Sequence, residues 1–331
     1  MPANKYYQGP PSDHFDDGRF FNPRHPNTDR GLKDLLRWRF EGGRQPWTEA
    51  PPVRTTVPEP QVAGLRVTMV GHASVLIQLA GRNLLVDPVW SERVSPVRWA
   101  GPRRVNAPGI RFEDLPPIHA VLLTHDHYDH LDIDTLKRLQ QAHRPRFVAP
   151  LGNDAVIAGK APEIRVDTLD WGQSLDLGAD ITACLQPANH WSARSLGDRR
   201  MALWGGYVIR SPAGTVYVVG DTGYGDGEIF REVGARFPDI DFAVIPIGAY
   251  APRWFMKDQH VDPAEAVRIM ADCGARRAFG VHWGTFRLTD EARTAPKEEL
   301  AAELQKLGLP PDVFVAAEPG DVWDREASFG P

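Results

Sequence analysis

The sequence predicts an α/β protein: two mixed β-sheets packed face to face, with helices on the outside. Two observations carry that expectation. Hairpin-like strand patterns come first, and strands then alternate with amphipathic helices in both halves of the chain. A length of 331 residues suits one large domain or two small ones, and 42% hydrophobic with 24% charged residues is the balance of an ordinary globular fold. A net charge of −5 removes the global basic field that would draw the chain to nucleic acid. Cys184 and Cys273 lie far apart and outside any CxxC pair, so they read as buried small hydrophobes in a reducing, cytoplasmic setting. The opening segment MPANKYYQGPPSDHFDDGRFF carries early acids and no apolar stretch, so no signal peptide is expected. No run of about eighteen apolar residues is present to form a spanning helix.

Residues 1–62 are rich in Pro, Gly, Arg and Asp. Their single helical candidate runs from Thr28 to Phe40, where Leu32, Leu35, Leu36 and Arg39 follow helical spacing and Thr28 or Asp29 can cap. Five prolines between Gln45 and Pro60 make an extended connector, so this part is expected as an arm packed on a main body of residues 63–331. From Gly64 the pattern turns to strands. Leu65-Val67-Met69 and Val75-Ile77-Leu79 alternate, Ala80 to Asn83 turns the chain into Leu84-Leu85-Val86, and Asp87-Pro88 ends that strand. Ala120 to Leu123 is a buried strand. Ile133, Leu136 and Leu139 mark an amphipathic helix that Asp132 can cap. Strands are expected at Arg146–Ala149, Ile181–Leu185, Leu203–Ile209, Thr215–Gly220 and Asp241–Ile245. Asp262-Pro263 opens a helix to Cys273 that Gly274 closes, Arg277–Val281 is a strand, and Pro296–Leu307 is a last helix with Leu300, Leu304 and Leu307 on one face. No internal repeat is visible.

The run Thr124-His125-Asp126-His127-Tyr128-Asp129-His130 follows the apolar strand directly. Three imidazoles and two carboxylates there make poor packing but good metal ligands, since neutral imidazole and carboxylate suit zinc. The two-residue spacing of His125 and His127 lets both rings reach one ion, and Asp129 and His130 point to a second. Four more positions place a coordinating side chain just after a strand: Asp87, His190, Asp221 and His282. Each alone reads as a structural histidine or turn aspartate; together they read as two metal sites with one shared ligand.

That order of residues, HxHxDH followed by His, Asp and His, resembles the metallo-β-lactamase superfamily, whose fold is an αββα sandwich with metals at one edge. Within it, several stretches resemble the N-acylphosphatidylethanolamine-hydrolysing phospholipase D family. They include Gly71-His72-Ala73-Ser74, Leu85 to Ser91, Leu115 to Ile118, Gly220 to Tyr224, Ile245 to Tyr250, Arg253 to Lys257, Gln259 to Pro263 and His282 to Phe286. The match spans about residues 64–290. HxHxDH names only the superfamily, whereas the block from Gly248 to Phe286 is more discriminating.

Carried over, the resemblance implies that His125, His127 and His190 hold one zinc, that Asp129, His130 and His282 hold the other, and that Asp221 bridges them. Mn²⁺ or Fe²⁺ can take such N/O sites as well. Asp87 would orient a ligand imidazole or, with Asp129, the nucleophile. Gln259 and His260 would face a substrate phosphate, and His260 could protonate the leaving group; Tyr128 and Trp254 join them as substrate contacts. His72 reads as tight packing, and His119 and His143 as structural or solvated. The implied reaction is hydrolysis of a phosphodiester on its headgroup side by a water shared between the ions, on an N-acylphosphatidylethanolamine-like lipid. A lactonase or thioester hydrolase would need the same ligands. A nuclease would want a basic groove, an iron oxygenase would not need both His130 and His282, and a non-catalytic metal- or lipid-binding protein usually lacks a ligand. Tryptophans beside basic residues (Arg98-Trp99, Arg253-Trp254) suit a lipid headgroup boundary as well as ordinary packing, which leaves peripheral contact with the inner face of a membrane open, as is oligomer formation.

Overall fold

Alternation decides the layering. Ala120 and Leu122 join one apolar cluster, while Val121 and Leu123, one step out of phase, join another. Val216 and Val218 likewise face the first cluster, and Tyr217 and Val219 a third. Strands covered on both faces read as continuous apolar runs, and these do.

The computed structural model describes residues 4–25, 30–47 and 49–325. The arm contains β1 (Phe15–Asp16), β2 (Arg19–Phe20) and α1 (Leu32–Glu41). The first half of the body follows as β3 (Leu65–Gly71), β4 (Ser74–Leu79), β5 (Arg82–Val86), β6 (Ala120–Leu122), α2 (Ile133–Ala142), β7 (Arg146–Pro150), α3 (Asn153–Ala158) and β8 (Val166–Leu169). The second half begins with β9 (Ser174–Gly178), β10 (Ile181–Gln186), β11 (Gly206–Ser211), β12 (Gly214–Val218), α4 (Glu228–Arg236) and β13 (Phe242–Pro246). It ends with α5 (Arg253–Met256), α6 (Pro263–Cys273), β14 (Arg277–Val281), α7 (Ala295–Lys306), β15 (Phe314–Ala316) and β16 (Val322–Asp324).

Two seven-stranded mixed sheets result, one ordered β16-β3-β4-β5-β6-β7-β8 and the other β9-β10-β11-β12-β13-β14-β15. Each runs through three antiparallel contacts and then three parallel ones. So the sheets share a pairing plan that no visible sequence repeat announces. Between them lies the central core, with Val67, Ile77 and Leu122 facing Leu185, Tyr207 and Val244. Outside the first sheet, Leu136 and Leu139 of α2 meet Phe147; outside the second, Phe230 of α4, Val267 of α6 and Leu300 of α7 meet Tyr217 and Ile245. Each large side chain buried this way contributes roughly 1.5–3 kcal/mol.

Local signals hold where capping chemistry decides. Asp132 caps α2 by accepting from Asp134 N (3.2 Å) and Thr135 N (3.3 Å). Asp262 caps α6 by accepting from Glu265 N (2.9 Å), and Gly274 ends it in the left-handed region at φ 71°. Both cysteines are buried and free. Elsewhere tertiary contacts shift the boundaries. The strand expected from Leu203 starts at Gly206, because Leu203 N bonds Leu151 O (2.8 Å) and Trp204 Nε1 bonds Ala188 O (2.8 Å), off the ladder. Leu307 is exposed at the end of α7 instead of sharing the face of Leu300 and Leu304. The arm helix begins at Leu32; its expected caps Thr28 and Asp29 lie outside the described residues. The arm sends Phe15 and Phe20 into the central core and bonds Asn4 Nδ2 to Met201 O (2.8 Å). No helix among the described residues is long and apolar enough to cross a membrane.

Candidate metal centre

Three strand ends turn sharply. His72 after β3, Asp87 after β5 and His282 after β14 all adopt positive φ, at 56°, 43° and 65°. A non-glycine residue there costs on the order of 1 kcal/mol or more and persists only where the surroundings impose it. The surroundings here are hydrogen bonds: His282 N donates to His72 O (2.7 Å) and Asp87 N to Leu122 O (3.0 Å). The kinks swing three polar side chains out of their strands toward the loop that follows β6. That loop folds tightly, with His130 N and Leu131 N both bonded to His127 O (3.1 and 2.8 Å).

Two donor sets meet there. His125 Nε2 and His190 Nε2 approach His127 Nδ1 to 2.9 and 3.2 Å. In the second set, Asp129 Oδ2 lies 2.9 Å from His72 Nε2 and 3.2 Å from His282 Nε2. Asp221 stands between the sets, its Oδ2 3.0 Å from His282 Nε2, 3.2 Å from His130 Nε2 and 3.8 Å from His190 Nε2. The structure thus brings together all seven residues expected as ligands, plus His72 and His260, whose Nδ1 lies 3.8 Å from Asp221 Oδ2.

The donor chemistry fits metal ions. His130 Nε2 is buried and lacks a hydrogen-bond partner, and three imidazole nitrogens crowd one point in the first set. Buried polar atoms in proteins normally find a partner, so converging lone pairs of this kind suit a cation. Ligand imidazoles normally donate their far N–H to an acceptor that fixes the ring. His130 Nδ1 donates to Asp87 Oδ2 (2.7 Å) and His190 Nδ1 to Gln259 O (3.1 Å). His125 Nδ1 donates to Thr124 Oγ1 (3.0 Å), whose own hydroxyl donates to Asp87 Oδ2 (2.6 Å). One buried carboxylate therefore orients two rings.

Comparison with known proteins agrees with this geometry. The family model described as "Beta-lactamase superfamily domain" matches residues 82–283. An N-acyl-phosphatidylethanolamine-hydrolyzing phospholipase D from Caenorhabditis elegans is 37% identical over 79% of this chain and 76% of its own. The chain belongs to the metallo-β-lactamase superfamily, in the family of that phospholipase. A mitochondrial enzyme of the same name from Saccharomyces cerevisiae is 31% identical over 70% of this chain and 50% of its own. Among solved structures, the metallo hydrolase Igni18 from Ignicoccus hospitalis superposes with a TM-score of 0.58 at 18% identity, covering 79% of this chain and 98% of that one. The protein is a metal-dependent hydrolase.

In this metallo-β-lactamase-fold hydrolase the two donor sets differ electrically. Burial lowers His125 and His190 well below the ordinary imidazole value and His127 to about 4, which leaves neutral lone pairs. Burial pushes on His282 in the same sense, but Asp221 and Asp129 outweigh it and lift it to about 9; the same carboxylates hold His130 well above its usual range. Asp129 and Asp221 lie well below the carboxylate range, because those imidazoles outweigh their burial.

The residues expected to meet substrate separate into near and far. His260 sits beside Asp221, and burial lowers it to about 4, so at neutral pH its imidazole is uncharged and offers an N–H. Gln259 is buried, its Oε1 accepting from Trp191 Nε1 and its carbonyl holding His190. Tyr128 borders the metal loop, its hydroxyl donating to Arg194 O (2.9 Å) and its ring lying 3.8 Å from the Arg194 guanidinium. Trp254 lies under Arg37 of α1, 4.2 Å away. Trp90 packs on Phe112 and donates to Ile110 O (3.1 Å). Asp87 sits one layer behind His130, with Oδ1 taken by Thr124 N (2.7 Å), which makes it a positioning residue. His119 and His143 have structural roles, accepting from Asn83 N (3.1 Å) and Ile118 N (3.4 Å). His72, Thr124 and Arg194 are the residues that pattern reading passes over. His72 had a usable signal, since it too follows a strand directly.

Proposed function

We propose that this chain is a dinuclear zinc phosphodiesterase of phospholipase D type acting on N-acylphosphatidylethanolamine-like lipids. The observation that carries the reading is His260, an imidazole beside Asp221 that is surplus to six terminal ligands and one bridging carboxylate. A neutral N–H donor at that position suits a phosphoryl oxygen, where charge grows in the transition state. The names of the nematode and yeast relatives support the lipid.

In this reading His125, His127 and His190 hold one ion, Asp129, His130 and His282 the other, and Asp221 both. When bound, the two ions lower the pKa of a shared water to near neutrality and offset the charge of the phosphoryl oxygens. The protein's part is placement. The imidazole contacts of Asp129 fall on Oδ2, which leaves Oδ1 to orient the attacking water. Asp87, through His130 and Thr124, keeps ligand rings from rotating. The His260 N–H holds a phosphoryl oxygen. Water adds to phosphorus and gives up a proton to solvent, the phosphorus–oxygen bond on the headgroup side breaks, and the departing alkoxide takes a proton from solvent, so that phosphatidic acid and an N-acylethanolamine are released.

The test measures metal content and hydrolysis on one purified sample. Bis(p-nitrophenyl) phosphate, a simple lactone and N-acylphosphatidylethanolamine in detergent are compared side by side. Two zincs per chain with phosphodiester turnover, strongest on the lipid, is the expected result. Lactone turnover alone would overturn the substrate and leave the metal centre standing.

A further inference from the structure

A groove of about 800 Å³ opens beside the metal loop, with Tyr128 and Arg194 in its wall. Six cations line it: Lys5, Arg93, Arg98, Lys137, Lys160 and Arg194. Four acids line it too, but two of them are buried and turned inward. Asp132 caps α2 and accepts from Ser91 N (2.9 Å), and Asp198 accepts from Arg194 N (3.0 Å) and Ser195 N (2.8 Å). Of the other two, Glu92 pairs with Arg103, and Asp134 with Arg98 at 2.6 Å. Arg93, Lys137 and Lys160 have no carboxylate partner among the described residues, on a chain whose net charge is −5.

The loops that rim this basic groove carry apolar tips. Trp99 is 82% exposed, one residue beyond Arg98, and Leu196 is fully exposed, one residue beyond Ser195. Val97, in the groove wall, is exposed as well. Isolated exposed hydrophobes need no explanation. Two tips on separate loops flanking one cationic groove are different, because apolar insertion and headgroup attraction act together at a bilayer surface. Helix α1 also exposes Leu35, Leu36 and Phe40, but these lie on a single helix without a second apolar loop across a cationic groove, and its Arg37 pairs with Glu41 at 2.5 Å; it is the rival face that the experiment below excludes.

We propose that the groove and its two loops form a docking face for a bilayer containing anionic lipid. Trp99 and Leu196 enter the headgroup boundary, Arg93, Lys137 and Lys160 meet lipid phosphates, and Tyr128 places the inner end of the groove at the metal loop. The proposal stands on surface residues and does not require the substrate reading.

The experiment sediments the full-length, metal-loaded protein with phosphatidylcholine vesicles made with and without phosphatidylglycerol. The parent is expected to sediment with the anionic vesicles and stay free of the neutral ones. Replacing Lys137 and Lys160 together (Lys137→Ala, Lys160→Ala) is expected to weaken binding about thirtyfold, about fivefold for each charge. Trp99→Ser with Leu196→Ser is expected to weaken it at least about tenfold. Both double variants should hydrolyse soluble bis(p-nitrophenyl) phosphate at the parent rate, which also shows that they are folded. Equal binding to both vesicle types, or parent-like sedimentation of either double variant, overturns the proposal. So does loss of binding in Phe40→Ser, which would move docking to α1. Vesicle binding without phosphodiester turnover would sink the proposed function and leave this face intact.

Discussion

In both sheets three antiparallel contacts lead into three parallel ones, yet the two deliver their donors differently. The first sheet sends four of them, His125, His127, Asp129 and His130, from a single exit after β6. Beyond the second sheet's strands the donors come one at a time: His190 after β10, Asp221 after β12 and His282 after β14. A single loop can carry four candidate ligands because its backbone closes on His127 O and keeps donors that are near in sequence near in space. Single ligands need a separate strand to aim each of them, and at His282 a left-handed kink as well. Concentrated donors make a site cheap to encode, whereas dispersed donors couple it to the packing of the whole sandwich.

The largest effect should come from Asp221, the carboxylate that stands between the two sets. Asp221→Ala is expected to leave neither ion bound and to cost more than the roughly 10–100-fold typical of an outer hydrogen-bond partner. Metal analysis and turnover on the same sample check it; two ions and full activity would show that the sets are independent. His127→Ala is expected to lose metal and activity together, because three nitrogens meet at its Nδ1.

Asp87→Ala comes next. It should weaken metal affinity about 10–100-fold while keeping the ligands, since it frees the rings of His130 and, through Thr124, His125. Thr124→Val touches the first set alone at the imidazole level, and equal losses in both variants would contradict the shared-orienter geometry.

A pH series separates the sets by charge. In the metal-free protein, His282 is raised to about 9 from 6.5, so the stability it lends is complete below 6.5 and disappears as pH rises through about 9. An ion requires the neutral ring and must displace that proton. Metal affinity of the second set should therefore climb up to about pH 9, while the first set, with His127 near 4, stays flat across neutral pH. Isothermal titration in buffers of different ionisation heat counts the protons released; no release near neutral pH would break the distinction. The smallest effect is expected from Gln259→Ala, which should keep both ions, because its backbone carbonyl still holds His190, and reduce phosphodiester turnover modestly. Unchanged kinetics would remove its side chain from the site.

Legibility follows the same division. The loop at 125–130 is recognisable as a metal site from its residues alone, because its ligands are neighbours in sequence as well as in space. Asp132 and Asp262 announce their helices for the same reason: a cap interacts with backbone two or three residues away. His72 resembles packing because the partner that gives it meaning, Asp129, is 57 residues distant. The bonds that place Gln259, from Trp191 to its side chain and from His190 to its carbonyl, come from residues 68 and 69 positions away, so its neighbours in sequence do not announce them.

By itself the sequence pointed to the paired sheets, their apolar faces, the family and seven candidate donors. Each of these depends on period, on short-range chemistry or on motif order. Only the tertiary structure decided that Asp87 serves two imidazoles, that His260 stands beside Asp221, that one donor set is neutral while the other pairs charged imidazoles with carboxylates, and that Arg93, Lys137 and Lys160 line one groove. Those properties depend on distances between residues tens to hundreds of positions apart and on the burial that strengthens their fields, and neither exists until the sheets close on each other.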